Sequence, residues 1–121
     1  MELTYQEILD QARSEVSEVM PRDVEDLEQS FPGLLLIDVR EPGEFRQFHI
    51  HGSINVPRGV LEQATEPGYD ETETLLAGGR HRAILVVCRS GNRSLLAAQT
   101  LQKLGFCRVY SLQTGIKQGL E

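Results

Sequence analysis

The chain has 121 residues, 40% of them hydrophobic and 25% charged, with a formal net charge of −6. That length supports one domain with its own core, and the near-average balance excludes disordered, collagen-like and membrane classes. No apolar run approaches the roughly 20 residues of a membrane helix, and the acidic balance argues against nucleic acid as the main partner.

The first residues, Met1 to Glu7, carry neither a basic flank nor an apolar h-region, so a cytoplasmic location is expected. Thr4 and Glu7 form a capping box ahead of Tyr5, Ile8, Leu9, Ala12 and Val16 at helical spacing, which predicts an amphipathic N-terminal helix to about Glu15. Glu18 to Met20 reads as a short edge strand stopped by Pro21, and Arg22 to Gln29 as a second helix. Leu34 to Ile37 is a continuous apolar run suited to a strand covered on both faces. Glu41 to Phe48 follows as a short helix with Pro42 in its first turn, and Ser53 to Val56 as a brief strand. Arg58 to Arg82 is the least regular stretch, with helical turns at Val60-Leu61 and Thr72 to Ala77. Ala83 to Val87 is the clearest strand. Asn92 to Leu104 is the clearest helix, with Leu96, Ala97, Thr100, Leu101 and Leu104 on one face and Gly105 as its stop. Arg108 to Leu112 closes the pattern as a strand. Strands alternating with helices predict a parallel α/β sandwich with right-handed crossovers.

Cys88 stands at the turn between the clearest strand and the clearest helix. The strand delivers the sulfur to the sheet edge, Gly91 permits a tight reversal, and the helix aims its free N–H groups at the loop Arg89 to Ser94. Such a setting favours the thiolate, so Cys88 is expected to be a nucleophile. The chain has no CxxC pair and no Cys/His cluster with zinc spacing, so neither metal nor cofactor is expected. Seventeen of the eighteen acids precede residue 80. Seven cations and no acid lie between Arg80 and Leu120: Arg80, Arg82, Arg89, Arg93, Lys103, Arg108 and Lys117. The nucleophile therefore lies in a locally basic part of the sequence that would attract a small anion, unless folding interleaves the two signs.

Three segments, Leu36 to Phe45, His49 to Pro57 and Cys88 to Ser94, together with Gly105-Phe106 before the last strand, resemble the rhodanese (thiosulfate sulfurtransferase) homology domain. The resemblance spans residues 17–116 of a single domain covering 1–121, with 1–16 as an N-terminal helical extension. It implies a rhodanese-like three-layer α/β fold, a central parallel sheet of about five strands with helices on both faces. It also implies an enzyme in which Cys88 takes a sulfane sulfur from thiosulfate or another persulfidic donor and holds it as a persulfide. The sulfur then passes to cyanide or to a protein or low-molecular-weight thiol.

Arg89, Ser90, Gly91, Asn92, Arg93 and Ser94 would cradle the anion. Arg58, after Val56-Pro57, is a candidate second anion contact or a plain surface arginine. The competing readings are a cysteine phosphatase of the same fold and a non-catalytic interaction module. Such phosphatases have one residue more between cysteine and arginine. Only Arg89, Ser90, Gly91 and Asn92 separate Cys88 from Arg93 here, a ring that crowds a phosphoryl group but admits a terminal sulfur.

Asp38, at the end of an apolar strand, must be paired, and bracing the site through Arg40 is expected ahead of the alternative, a direct catalytic role. Glu44 stands in the family's acidic-then-aromatic position before Phe45, and the resemblance implies that it pairs with Arg93 and stiffens the loop. His49 and His51 lack a third ligand, which predicts a hydrogen-bonded His49 and an exposed His51. Phe48 and His51 replace the glycine and proline usual in the family around this histidine. Cys107 is either an inert thiol or a resolving partner for Cys88. The family's Gly-Gly-hydrophobic-x-x-Trp ending is replaced by Thr114 to Gly119 without tryptophan. A closing helix is therefore expected to be short or missing, leaving the pocket more open or the N-terminal helix over the sheet face.

Overall fold

The computed structural model describes residues 2–116. Helix α1 (Tyr5–Glu15) opens the chain, and strand β1 (Ser17–Val19) and a 3-10 turn (Pro21–Asp23) lead into α2 (Val24–Ser30). Next come β2 (Leu35–Asp38), α3 (Pro42–Gln47), β3 (Ile54–Asn55), a 3-10 turn (Arg58–Val60), α4 (Leu61–Ala64) and α5 (Thr74–Ala77). Strand β4 (Ala83–Val87), helix α6 (Asn92–Lys103) and β5 (Arg108–Leu112) complete it. The five strands form one sheet in the order β1-β5-β4-β2-β3, and every neighbouring pair is parallel.

This order explains the layers. Chain movement from β1 to β2 and from β2 to β3 runs one way across the sheet, while β3 to β4 and β4 to β5 run the other way. Right-handed crossovers then place the two sets of connections on opposite faces. Leu61, Ala64, Leu76, Leu95 and Leu101 of the β3–β4 and β4–β5 connections pack with Ile37, Ile84 and Val86 in the larger core. Val24 and Ile116, with Leu27 and Ile50, cover Leu85, Val87 and Leu112 on the other face. β4 is buried along its whole length, as a continuous apolar run between two covered faces requires.

α1 starts at the Thr4–Glu7 capping box, with both reciprocal bonds made. It buries Leu9, Ala12 and Val16 in the larger core beside α6. It therefore thickens the α6 layer and does not cover the face held by α2. Tyr5 and Ile8, expected on its buried stripe, are exposed, because the helix meets α6 by only one edge. α6 differs from its expected face in the same way. Ser94, Leu95, Ala97, Ala98 and Leu101 are buried, while Leu96 and Leu104 are only partly covered, since α1 and the sheet enclose α6 from two sides. β3 shrinks to two residues at the sheet edge. The expected fate of the closing helix falls on residues 117–121, outside the described residues. No helix among the described residues is long and apolar enough to cross a membrane.

Candidate active site

Connections leave β2 and β4 in opposite directions, so the carboxyl ends of these adjacent strands form a topological switch point, the usual ligand position in an open α/β sheet. Cys88 stands there directly after β4, fully buried. Gly91, with φ 97°, turns the chain into α6, a left-handed conformation that glycine adopts without strain. The loop closes around the sulfur. The N–H of Gly91 lies 3.1 Å from Sγ, the N–H of Ser94 3.2 Å, and Ser94 Oγ 3.4 Å. Ser94 belongs to the first helical turn, whose amides have no intrahelical acceptor, so the sulfur takes the place of a missing carbonyl at the positive end of the helix.

A wall formed by residues 112–116 supports this ring from behind. A Cβ on Gly91 would overlap the Gln113 carbonyl oxygen, and one on Gly115, at φ 72°, would meet the carbonyl of Arg89 and, at 2.5 Å, the nitrogen of Ser90. Ile116 N–H donates to the Cys88 carbonyl at 2.9 Å. Both glycines thus permit backbone against backbone at van der Waals contact.

Two ion pairs tie this end of the sheet together. Arg93 donates both terminal nitrogens to Glu44, at 2.8 and 3.1 Å, joining α6 to α3. These bonds from Arg93 hold the Glu44 carboxyl down to about 2 from its ordinary 4.5, and the N–H of Glu41 adds to the effect. The Arg93 guanidinium is held above its ordinary value by the same bonds, with the Cys88 charge a lesser contribution. Asp38 and Arg40 form the second pair, buried, with Nη2 2.8 Å from Oδ2. The Arg40 backbone N–H also donates to Asp38, and Nη2 to the Phe48 carbonyl at 2.7 Å. Asn55 Nδ2 completes the brace by donating to the carbonyls of Asp38 and Arg40, each at 3.0 Å. This knot fixes the turn that carries α3, and so the position of Glu44.

Arg89 and Ser90 are exposed at the rim, and Asn92 is half-buried with Arg13 Nη2 of α1 3.5 Å from its Oδ1. Arg58 donates to Glu62 at 3.1 Å and to Thr100 at 3.1 Å. Thr100 lies six residues beyond Ser94 on α6, roughly 9 Å along the axis. His49 Nδ1 is 2.8 Å from the Phe45 carbonyl, its ring stacked on Phe45 at 3.7 Å, and His51 is exposed.

The basic tract of the sequence does not surround Cys88. Arg108 is in register with Ala83, at the start of β4, and Arg80 and Arg82 bond the carbonyls of Leu104 and Gly33. These cations gather at the opposite end of the sheet from Cys88, because a parallel strand carries the residues before and after it to opposite ends. The same geometry separates Cys107 from Cys88. The length of β4, roughly 16 Å at 3.3 Å per residue, lies between the two thiols, which rules out direct pairing in this fold.

Sequence reasoning passed over Ser111, Asn55 and the Gly115 wall. A serine flanked by Tyr110 and Leu112 in a strand next to β4 was the available signal, since a buried hydroxyl must find a partner.

The chain belongs to the rhodanese-like domain family, whose model matches residues 21–121. It is 39% identical over 83 residues to the Bacillus subtilis (strain 168) protein YqhL, covering 69% of this chain and 58% of that protein. It is 30% identical over 86 residues to thiosulfate sulfurtransferase GlpE of Tolumonas auensis (strain DSM 9187 / NBRC 110442 / TA 4), covering 71% and 72%. Among solved structures it resembles a protein of unknown function from Rhodopseudomonas palustris CGA009, described as a possible tyrosine phosphatase. The TM-score is 0.83 at 26% identity, covering 96% of this chain and 88% of that one. The chain spans little more than half of some curated relatives, 58% of YqhL and 53% of a mitochondrial protein of Schizosaccharomyces pombe.

Proposed function

We propose that this protein is a sulfurtransferase that carries sulfane sulfur on Cys88. The observation that supports it most is the sulfur's setting, with two backbone N–H groups converging on Sγ. Donors fixed in this way stabilise a sulfur anion without reorganising. In the forward step the Cys88 thiolate attacks the sulfane sulfur of thiosulfate. The bond to the sulfonate sulfur breaks, and sulfite leaves with the electron pair. Cys88 then bears a persulfide anion. An acceptor thiolate or cyanide attacks the outer sulfur and returns the electron pair to Sγ, regenerating the thiolate.

Arg89, Ser90 and Asn92 form the rim against which the departing anion rests, whereas Arg58 is held by Glu62 and Thr100, roughly 9 Å along α6 from Ser94, and is not an anion contact. The phosphatase reading gains from the description of the Rhodopseudomonas protein. It loses because an arginine meant for a phosphoryl group would need its fork free, and Arg93 spends both nitrogens on Glu44.

Incubation with thiosulfate followed by intact mass measurement tests the proposal. A gain of one sulfur atom, absent in Cys88→Ser and removed by cyanide as thiocyanate, is expected. Hydrolysis of an aryl phosphate without sulfur loading would replace this reading with the phosphatase, and neither activity would leave an interaction module.

A further inference from the structure

The geometry points to Ser111 as a positioning residue that turns the Ser94 hydroxyl proton onto Cys88. This rests on the reading of Cys88 as a thiolate nucleophile and adds a residue from β5, outside the cysteine loop. Ser111 is fully buried, and its Oγ lies 2.8 Å from Ser94 Oγ. Among the described residues the one buried side-chain polar atom without a partner is Glu18 Oε2, so the Ser111 hydroxyl is satisfied, and Ser94 is the partner that satisfies it.

Counting protons fixes the direction. Ser94 has one hydroxyl hydrogen and three neighbours: Sγ at 3.4 Å, the Gly91 carbonyl at 3.2 Å and Ser111 Oγ. When Cys88 is a thiol, its S–H donates to Ser94 Oγ, and Ser94 donates to the Gly91 carbonyl. When Cys88 loses that proton, Sγ becomes a pure acceptor and the Ser94 hydroxyl rotates onto it. Sγ then accepts three bonds, from the N–H of Gly91, the N–H of Ser94 and the O–H of Ser94. In this second state Ser111 is the remaining donor to Ser94 Oγ. A hydroxyl that accepts a hydrogen bond donates more strongly, because each bond in the chain polarises the next. Ser111 therefore favours the thiolate over the thiol. The order is Ser111 to Ser94 to sulfur, with no proton changing its oxygen.

The test uses Cys107→Ser protein, so that Cys88 is the reporting thiol, and follows its rate of alkylation by iodoacetamide against pH. Ser111→Ala is expected to move the midpoint of that profile upward by about 0.1 to 0.6 pH unit, a loss of up to about fourfold in reactive thiolate near neutrality. Ser111→Thr, which keeps the hydroxyl, restores the parent midpoint. In a Ser94→Ala background Ser111→Ala moves it no further, which a general loosening of the fold would not produce. Ser111→Gly gives a second removal of the hydroxyl should alanine impair folding. An unchanged midpoint in folded Ser111→Ala or Ser111→Gly, or an equal shift without Ser94, overturns the assignment. A parent profile like that of free cysteine would instead strike at Cys88 as nucleophile.

Discussion

Gly91→Ala separates backbone strain from backbone contact, because Gly68 supplies a matched control. Gly91 has φ 97° and Gly68 φ 92°, so alanine in a left-handed conformation costs about 1–2 kcal/mol at either place. Their surroundings differ. A Cβ on Gly68 meets nothing within 4 Å, whereas one on Gly91 overlaps the Gln113 carbonyl oxygen, with its carbon at 2.9 Å and the Leu112 oxygen at 3.3 Å. These are backbone atoms of the segment behind the ring, which cannot swing aside as a side chain would. Forcing that segment back adds about 1–3 kcal/mol, the usual cost of overpacking. Gly91→Ala is therefore expected to lose about 2–5 kcal/mol and Gly68→Ala only about 1–2, against a total stability of roughly 5–15 kcal/mol. Urea unfolding followed by circular dichroism measures both. Retreat of the loop also displaces the Gly91 N–H from Sγ, and a misplacement on the order of 1 Å slows a positioned reaction about 100-fold. Sulfur loading by folded Gly91→Ala should fall accordingly, with Gly68→Ala near the parent rate. Equal urea midpoints for the two variants, or normal loading by Gly91→Ala, would refute the close-approach argument.

Asp38→Asn leaves the buried Arg40 guanidinium without its counter-charge and is expected to cost about 3–5 kcal/mol, read as a lower urea midpoint. A loss under 1 kcal/mol would mean that water or another acceptor reaches Arg40. The Glu44 carboxyl, held at about 2 when folded against 4.5 ordinarily, contributes stability above about pH 4.5 that disappears as pH falls through about 2. Parent protein should accordingly lose stability over that interval more steeply than Glu44→Gln. The two pH profiles running parallel would show that the Arg93 pair adds nothing at this half-exposed site.

Local features of the sequence carried the most information where one short stretch decides the outcome. The limits of β4 follow from a continuous apolar run that begins directly after Arg82. The start of α1 follows from Thr4 and Glu7, and the cysteine ring from six consecutive residues. Asp38 with Arg40 was accessible because a carboxylate at the end of an apolar strand needs a nearby partner, whereas Glu44 with Arg93 came from the family resemblance. What escaped depends on strand order. The cluster of Arg80, Arg82 and Arg108 looks close to Cys88 in sequence, yet β4 carries it to the far end of the sheet. Ser111 and Gly115 approach the ring only because β5 pairs with β4, a fact fixed by long-range pairing and invisible to any local window.

That redistribution of charge bears on how an anionic donor reaches the sulfur. Arg93 is paired with Glu44, Arg40 with Asp38, Arg58 with Glu62 and Arg13 with Glu18, and Arg89 belongs to none of the ion pairs among the described residues. The chain as a whole carries −6. Attraction at the site then comes from amide dipoles, which act over a few ångströms, while at longer range a dianion meets a net repulsive field. Salt screens the long-range part, with a Debye length of about 30 Å at 0.01 M and about 8 Å at 0.15 M, and leaves contacts inside the ring little affected. The second-order rate of loading by thiosulfate should hold steady or rise across that range of ionic strength. A basic funnel would instead make it fall steeply. Stopped-flow or quenched loading at fixed pH distinguishes the two. A rate that drops several-fold with added salt would show that Arg89 and its neighbours steer the donor from a distance, and that the amide ring is not the dominant attraction.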